Sequence, residues 1–280
     1  MTPEVKIVTD STVYLMPEAL VRYDIRVVPL RVAFGTEVYT EGVDIANEEF
    51  YQKLRQSSVL PTTSQPSVSN FFQVYSELTQ RGHPVLSIHI SGKLSGTVNS
   101  ALAARNALPE AQIEVVDCLS AGFGLLVLAA ARAAEEGQGL LEIKAKVKQI
   151  ASRINQFGVL DTLEYLRRGG RIGGAKALLG TLLKIKPILA LSDGEARVVA
   201  RMRTRAGAVK YMLRFMEERA GRSKPVHCAV VHTQLFDVAR ALEGEVQARF
   251  NCSELYLIEF GPVFGTHLGP GLLGVGFYTE

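Results

Sequence analysis

The sequence predicts an α/β protein of two domains: an N-terminal parallel-sheet domain over residues 1–157 and a C-terminal α/β domain with a largely antiparallel sheet over 158–280. Three observations predict it. In the first half, short β-rich runs alternate with segments of helical spacing in the order β, loop, α, β, loop, α, which calls for parallel strands joined by helices. After Gly158 that order breaks, and two runs flank Ser192-Asp193-Gly194, a hairpin signal. The chain has 280 residues, 47% hydrophobic and 21% charged, so it suits one large domain or two ordinary ones and excludes global disorder.

The elements follow in order. Residues 5–9 form a strand that ends at Asp10, Ser11 and Thr12. Residues 26–34 form another, with Pro29 imposing an edge or a bend. A helix over 47–55 places Phe50, Tyr51 and Leu54 on one side. Residues 57–66 are a polar, Pro-bounded loop, and 67–78 a helix with Phe71, Val74, Tyr75 and Leu78 on its apolar face. A strand over 85–90, a loop over 91–97 and a helix over 98–108 come next, then a strand over 113–116 and helices over 119–134 and 141–157. Beyond the break, helices are expected over 161–168, 175–183, 206–219 and 236–250, and a hairpin over 185–191 and 196–200. Strands over 226–232 and 254–260 precede a glycine-rich loop and a last strand over 272–278.

Net charge is +3, but residues 161–224 hold 15 Lys or Arg against 6 Asp or Glu, or +9, leaving 16 against 22, or −6, elsewhere. Such a region can face phosphates, an anionic membrane or an acidic protein, or simply be a solvated helix surface. With 8% aromatics and no Trp, a surface built for base stacking is disfavoured. Cys118, Cys228 and Cys252 form no CxxC pair and suggest buried, reduced thiols. The N-terminal residues lack the regions of a signal peptide, and the longest apolar run, 121–131, is too short to span a bilayer. The expectation is a soluble, cytoplasmic protein without a transmembrane segment.

Familiar chemistries fail. GPGLLG at 269–274 matches GxGxxG, but only six residues follow, too few for a dinucleotide site. There is no P-loop and no GxSxG elbow. His227 and Cys228 are neighbours on one strand and point to opposite faces, so no metal site is expected with His232. Two hydroxyl-rich segments remain: Pro61-Thr62-Thr63-Ser64-Gln65-Pro66, and Ser91-Gly92-Lys93-Leu94-Ser95-Gly96-Thr97. Each precedes a helix, where unpaired N–H groups and the helix dipole attract anions, and where Ser and Thr also serve as ordinary caps. Gly96 permits close approach to the backbone.

The chain resembles the DegV family, which includes the fatty-acid-binding subunit of bacterial fatty acid kinase. The resemblance rests on VTDST at 8–12, TTSQP at 62–66, SGKLSGT at 91–97, VVDCLSAGFG at 115–124, LEYLRRGGRI at 163–172, LLKIKPIL at 182–189 and GPVFGTHLGPGLLG at 261–274. It implies a long-chain fatty acid such as palmitate bound between two α/β domains. It implies a carboxylate held by Thr63 and Ser95, with Gly96 and His267 in the same network and Thr62 and Thr97 as secondary contacts. It implies a non-catalytic carrier that presents the carboxylate to a separate ATP-dependent kinase and needs no cofactor; nucleic-acid binding through the basic stretch is disfavoured by the lack of any reader motif or aromatic platform. Arg203, in the basic ARMRTRAGAV stretch, is the kinase-facing residue by the same likeness. Where many relatives carry a hydroxyl or small residue, this chain has Cys118, expected to be inert. The alternative is a serine hydrolase acting on acyl substrates through Ser95 and His267.

Overall fold

The computed structural model describes residues 4–118, 123–178, 185–192 and 194–280. In chain order its elements are β1 (Lys6–Asp10), α1 (Pro17–Arg22), β2 (Arg26–Val28), β3 (Arg31–Phe34), β4 (Glu37–Thr40), α2 (Asn47–Gln56), β5 (Thr62–Ser64), α3 (Val68–Gln80), β6 (Val85–His89), α4 (Thr97–Asn106), β7 (Ile113–Asp117) and α5 (Gly124–Glu135). There follow α6 (Leu140–Ala151), β8 (Asn155–Val159), α7 (Glu164–Arg168), β9 (Lys186–Ser192), β10 (Glu195–Met202), α8 (Arg205–Ala220), β11 (Val226–His232), α9 (Phe236–Arg249), β12 (Cys252–Glu259), α10 (Pro262–Leu268) and β13 (Leu273–Thr279).

The chain divides into two compact units, Met1–Asp44 with Thr63–Ser152, and Ile45–Thr62 with Arg153–Glu280. This differs from a single break between 157 and 158 in two ways. The helix expected over 141–157 ends at Ala151, and residues 155–159 are strand β8, which a cut after 157 would split. Phe157 and Val159 are buried in the core, and β8 pairs with β9 on one side and β13 on the other. That central place in a sheet outweighs the helical spacing upstream. Moreover, α2, from the first half of the sequence, belongs to the second unit.

The first unit holds a parallel sheet of order β2-β1-β6-β7 and a small sheet of order β4-β3-β5. Pro29 separates β2 from β3, the bend expected there. Every residue of β6 is buried, as befits a central parallel strand covered on both faces. Phe71, Tyr75 and Leu78 of α3 and Ala101 and Ala104 of α4 pack on Val8, Val28, Val85 and Ile113. Helices α5 and α6 pack on each other, α5 also meeting β1 and α6 meeting β6 and β7.

The second unit holds a six-stranded sheet of order β10-β9-β8-β13-β11-β12, antiparallel except for β11–β12. The hairpin is β9–β10, with Gly194 at φ +78° in its turn. Ala208, Met212 and Met216 of α8 and Ala239, Leu242 and Val246 of α9 cover this sheet. The helix expected over 175–183 is a 3-10 turn, Gly173–Leu178, and residues 179–184 lie outside the described residues. The start of the helix expected over 119–134 also lies outside them, since 119–122 are not described and α5 begins at Gly124. The glycine-rich stretch before the last strand contains a helix, α10, that was not expected. Among the described residues, no helix is long and apolar enough to cross a membrane.

Candidate ligand site at the sheet edge

In the parallel sheet, the chain leaves β1 for β2 on one side and later returns to β6 on the other. Strand order reverses between β1 and β6, and ligands of open α/β sheets bind outside the carboxyl ends of strands at such a point. Asp10 ends β1, and His89 ends β6 just before the Ser91–Thr97 loop. The sheet thus places the second hydroxyl-rich segment where this architecture carries its sites.

The loop is closely braced. Ser91 O accepts from Leu94 N at 2.9 Å and Ser95 N at 3.0 Å. Gly92 N donates to Asp117 Oδ2 at 3.1 Å, and Lys93 N to Ser91 Oγ at 3.2 Å. Ser95 Oγ and Thr97 Oγ1 lie 2.8 Å apart, and Gly96 caps α4. Ser95 is half-buried and Thr97 buried. The first hydroxyl-rich segment touches this loop through Gln65: a Cβ on Gly96 would overlap the Gln65 amide, whose Nε2 donates to Ser100 Oγ at 2.9 Å. A side chain at position 96 would displace the Gln65 amide from Ser100. Within that first segment, Thr63 is half-buried and Thr62 exposed.

His267 lies in the last turn of α10 in the second unit. Gly169 ends α7, and a Cβ there would overlap His267 Nδ1. Arg171 turns back so that its Nη1 donates to Gly169 O at 2.8 Å. Loss of hydration and then the nearby Arg171 charge push the His267 pKa down to about 4. The ring is therefore neutral near pH 7, with one N–H to donate and one nitrogen to accept. Sequence reasoning gave Arg171 no role. It lies within LEYLRRGGRI, where the chain-reversing Gly169-Gly170 pair was the available signal.

The three arginines of the basic stretch part company. Arg205 Nη2 donates to Asp161 Oδ1 at 2.6 Å, beside Lys186 Nζ, also at 2.6 Å. Arg201 and Arg203 are exposed. His227 is bound to Glu254 at 2.7 Å and Glu280 at 3.2 Å, and hydrogen bonding to Glu254, opposed by burial, raises its pKa. No cluster able to hold a metal ion occurs among the described residues. Cys118 and Cys228 are buried and Cys252 half-buried, and burial raises the Cys228 and Cys252 pKa values. The Cys118 Sγ donates to His89 O at 2.7 Å.

Residues 4–280 match a family model described as an uncharacterised protein of the DegV family. A DegV domain-containing protein of Halalkalibacterium halodurans is 36% identical over 285 residues, covering 99% of both chains. A solved DegV-family protein of Thermus thermophilus, described by its fatty acid binding, has 37% identity and TM-score 0.94, covering 99% of this chain and all of the other (100%). A stearic-acid-binding protein of Eubacterium ventriosum has 27% identity and TM-score 0.86, covering 98% of each chain.

Proposed function

The chain belongs to the DegV family, and on that premise we propose that it binds a long-chain fatty acid such as palmitate and carries it without transforming it. The observation that carries this reading is the braced Ser91–Thr97 loop at the switch point of the parallel sheet, joined to the Thr62–Pro66 segment through Gln65. Its hydroxyls suit a carboxylate, which accepts up to about four hydrogen bonds. Thr63, Ser95 and Gly96 bind the carboxylate, with Thr62 and Thr97 in support. His267, neutral near pH 7, donates an N–H, and Arg171 adds positive charge near the ring. The fatty-acid-binding descriptions of related structures support the ligand class.

The finer step is presentation of that carboxylate to a separate ATP-dependent kinase, which forms the acyl phosphate. Arg203, exposed beside an Arg205 already committed to Asp161, is the side chain offered to that partner. Guanidinium is suited to planar, bidentate contact with carboxylate or phosphate.

Native mass spectrometry of the purified protein, followed by organic extraction, should show a co-purified fatty acid. Thr63→Ala and Ser95→Ala should each weaken palmitate binding by about 1–3 kcal/mol, the usual cost of removing a donor from a charged acceptor. Wild-type affinity in both variants would dismiss the site. Arg203→Ala should leave palmitate affinity intact and slow phosphorylation by the cognate kinase, and raised salt should mimic the defect. A fluorophosphonate probe should leave Ser95 unlabelled; stoichiometric labelling would favour the hydrolase instead.

A further inference from the structure

We infer that Asp10 and His89 are positioning residues for the Ser95 loop, a role that rests on the fatty-acid reading of that loop. The Asp10 carboxylate is wholly buried and accepts four hydrogen bonds. Oδ1 takes Thr12 N at 3.0 Å and Thr12 Oγ1 at 2.5 Å. Oδ2 takes His89 Nδ1 at 3.0 Å and Ile90 N at 3.2 Å. One carboxylate thus ties together the exits of β1 and β6, the two strands that flank the switch point.

The histidine is held from its other side. Tyr75 Oη donates to Ser87 Oγ at 2.7 Å, and Ser87 Oγ lies 2.7 Å from His89 Nε2. The Asp10 carboxylate only accepts, so Nδ1 is the ring's donor to it, and in the neutral imidazole Nε2 accepts from the Ser87 hydroxyl. Ser87, His89 and Asp10 therefore stand at the distances of a hydrolytic triad, yet each is 0% exposed and Ser87 is closed off by Tyr75. No substrate reaches this serine, so the relay serves the backbone.

Its output is the loop. Asp10 fixes Ile90 N, and the next residue, Ser91, supplies the carbonyl that holds Leu94 N and Ser95 N. From the neighbouring strand, Asp117 takes Gly92 N, while His89 O accepts from Cys118 N at 3.2 Å. Apolar side chains of equal volume would fill the same interior without burying a charge. They would not fix the direction of the Ile90 and Thr12 N–H groups.

The test uses His89→Phe, His89→Asn and Tyr75→Phe. Phe keeps a ring against Phe71, now 5.0 Å from the imidazole, but removes both nitrogens. Asn keeps a donor near the position of Nδ1. In ligand-free protein, amide exchange over residues 90–97 should quicken about tenfold or more in His89→Phe, with β7 interior amides unchanged, and the palmitate Kd should rise about tenfold. His89→Asn should bring both back to within about threefold of wild type, and Tyr75→Phe should leave both there. Wild-type exchange in the loop of His89→Phe, or equal acceleration throughout the unit, would overturn the assignment. So would failure of His89→Asn to rescue. If His89→Phe does not fold, Asp10→Asn replaces it, with the same two outcomes. Should wild-type protein take up no palmitate, the fatty-acid reading fails, while the exchange measurements still decide whether Asp10 and His89 position the loop.

Discussion

The Ser95 loop and the His267 helix end are held by opposite means. Carboxylates hold the first: Asp10 and Asp117 reach from neighbouring strands to take the N–H groups of Ile90 and Gly92. Missing side chains hold the second. Gly169 lets the His267 ring lie on the backbone, and Gly269, at φ +67°, lies where a Cβ would overlap the Tyr165 ring. A methyl on Gly265 would meet the Phe50 ring at 2.5 Å and the Tyr51 hydroxyl at 2.9 Å. A segment fixed by buried acceptors depends on keeping those acceptors. One fixed by close backbone approach depends on adding no volume. The two segments should therefore fail under different substitutions.

The largest effect should come from Asp10→Ala, which leaves the His89 ring and two backbone N–H groups without their buried acceptor. Chemical denaturation should show a loss of about 3–5 kcal/mol, because several buried donors are left unsatisfied at about 1–3 kcal/mol each. A loss below about 1 kcal/mol would break the comparison at the first site. Gly269→Ala should cost less, about 1–3 kcal/mol, from added volume and a left-handed backbone. Its exchange rates over residues 90–97 should stay at wild-type values while palmitate affinity falls. A coupled change in that loop would mean that the two sites do not fail independently.

A third effect, absent at neutral pH, concerns protons. With its pKa pushed down to about 4, His267 should show a ring titration well below the ordinary value of 6.5. As pH falls from about 6.5 towards 4, the unfolded ring takes up a proton that the folded ring refuses, so this part of the stability declines with acid and is intact above that window. His267→Gln should flatten that slope. NMR of the histidine ring protons gives the first answer, and denaturation across the pH range the second. An ordinary titration near 6.5 would mean that the ring is neither dehydrated nor beside a cation.

Much of this was legible in the sequence, for local reasons. A strand followed by SGKLSGT and a helix is a local pattern, and the loop sits where that pattern puts it. The side formed by Phe50, Tyr51 and Leu54 is indeed the buried face of α2. What escaped is non-local or masked. Asp10 and His89 are 79 positions apart, and no spacing rule joins them. Strand β8 has only five residues, with Gly158 next to its last, and the helical spacing of the amphipathic run before it continues to Phe157. Helix α10 carries its own signals, Pro262 at the first turn and Gly269 just past the end, but the surrounding glycines concealed them. Arg171 was hidden among Arg167, Arg168 and the two glycines that set it apart.

Helix α2 bears on how the chain acquires its structure. Tyr51 Oη donates to Phe260 O at 2.8 Å, a contact spanning 209 positions, and Arg55 Nη1 meets Gln234 Oε1 at 3.1 Å across 179. On a ribosome adding about 5–20 residues each second, Tyr51 waits roughly 10–40 s for its acceptor to be made. During that interval the first unit can complete its parallel sheet while Phe50, Tyr51 and Leu54 still lack their buried surroundings. Contacts of such long sequence separation slow folding, and an apolar helix awaiting them is a natural client for a chaperone. A gene cut after Ser152 would release a polypeptide in which that exposure is permanent.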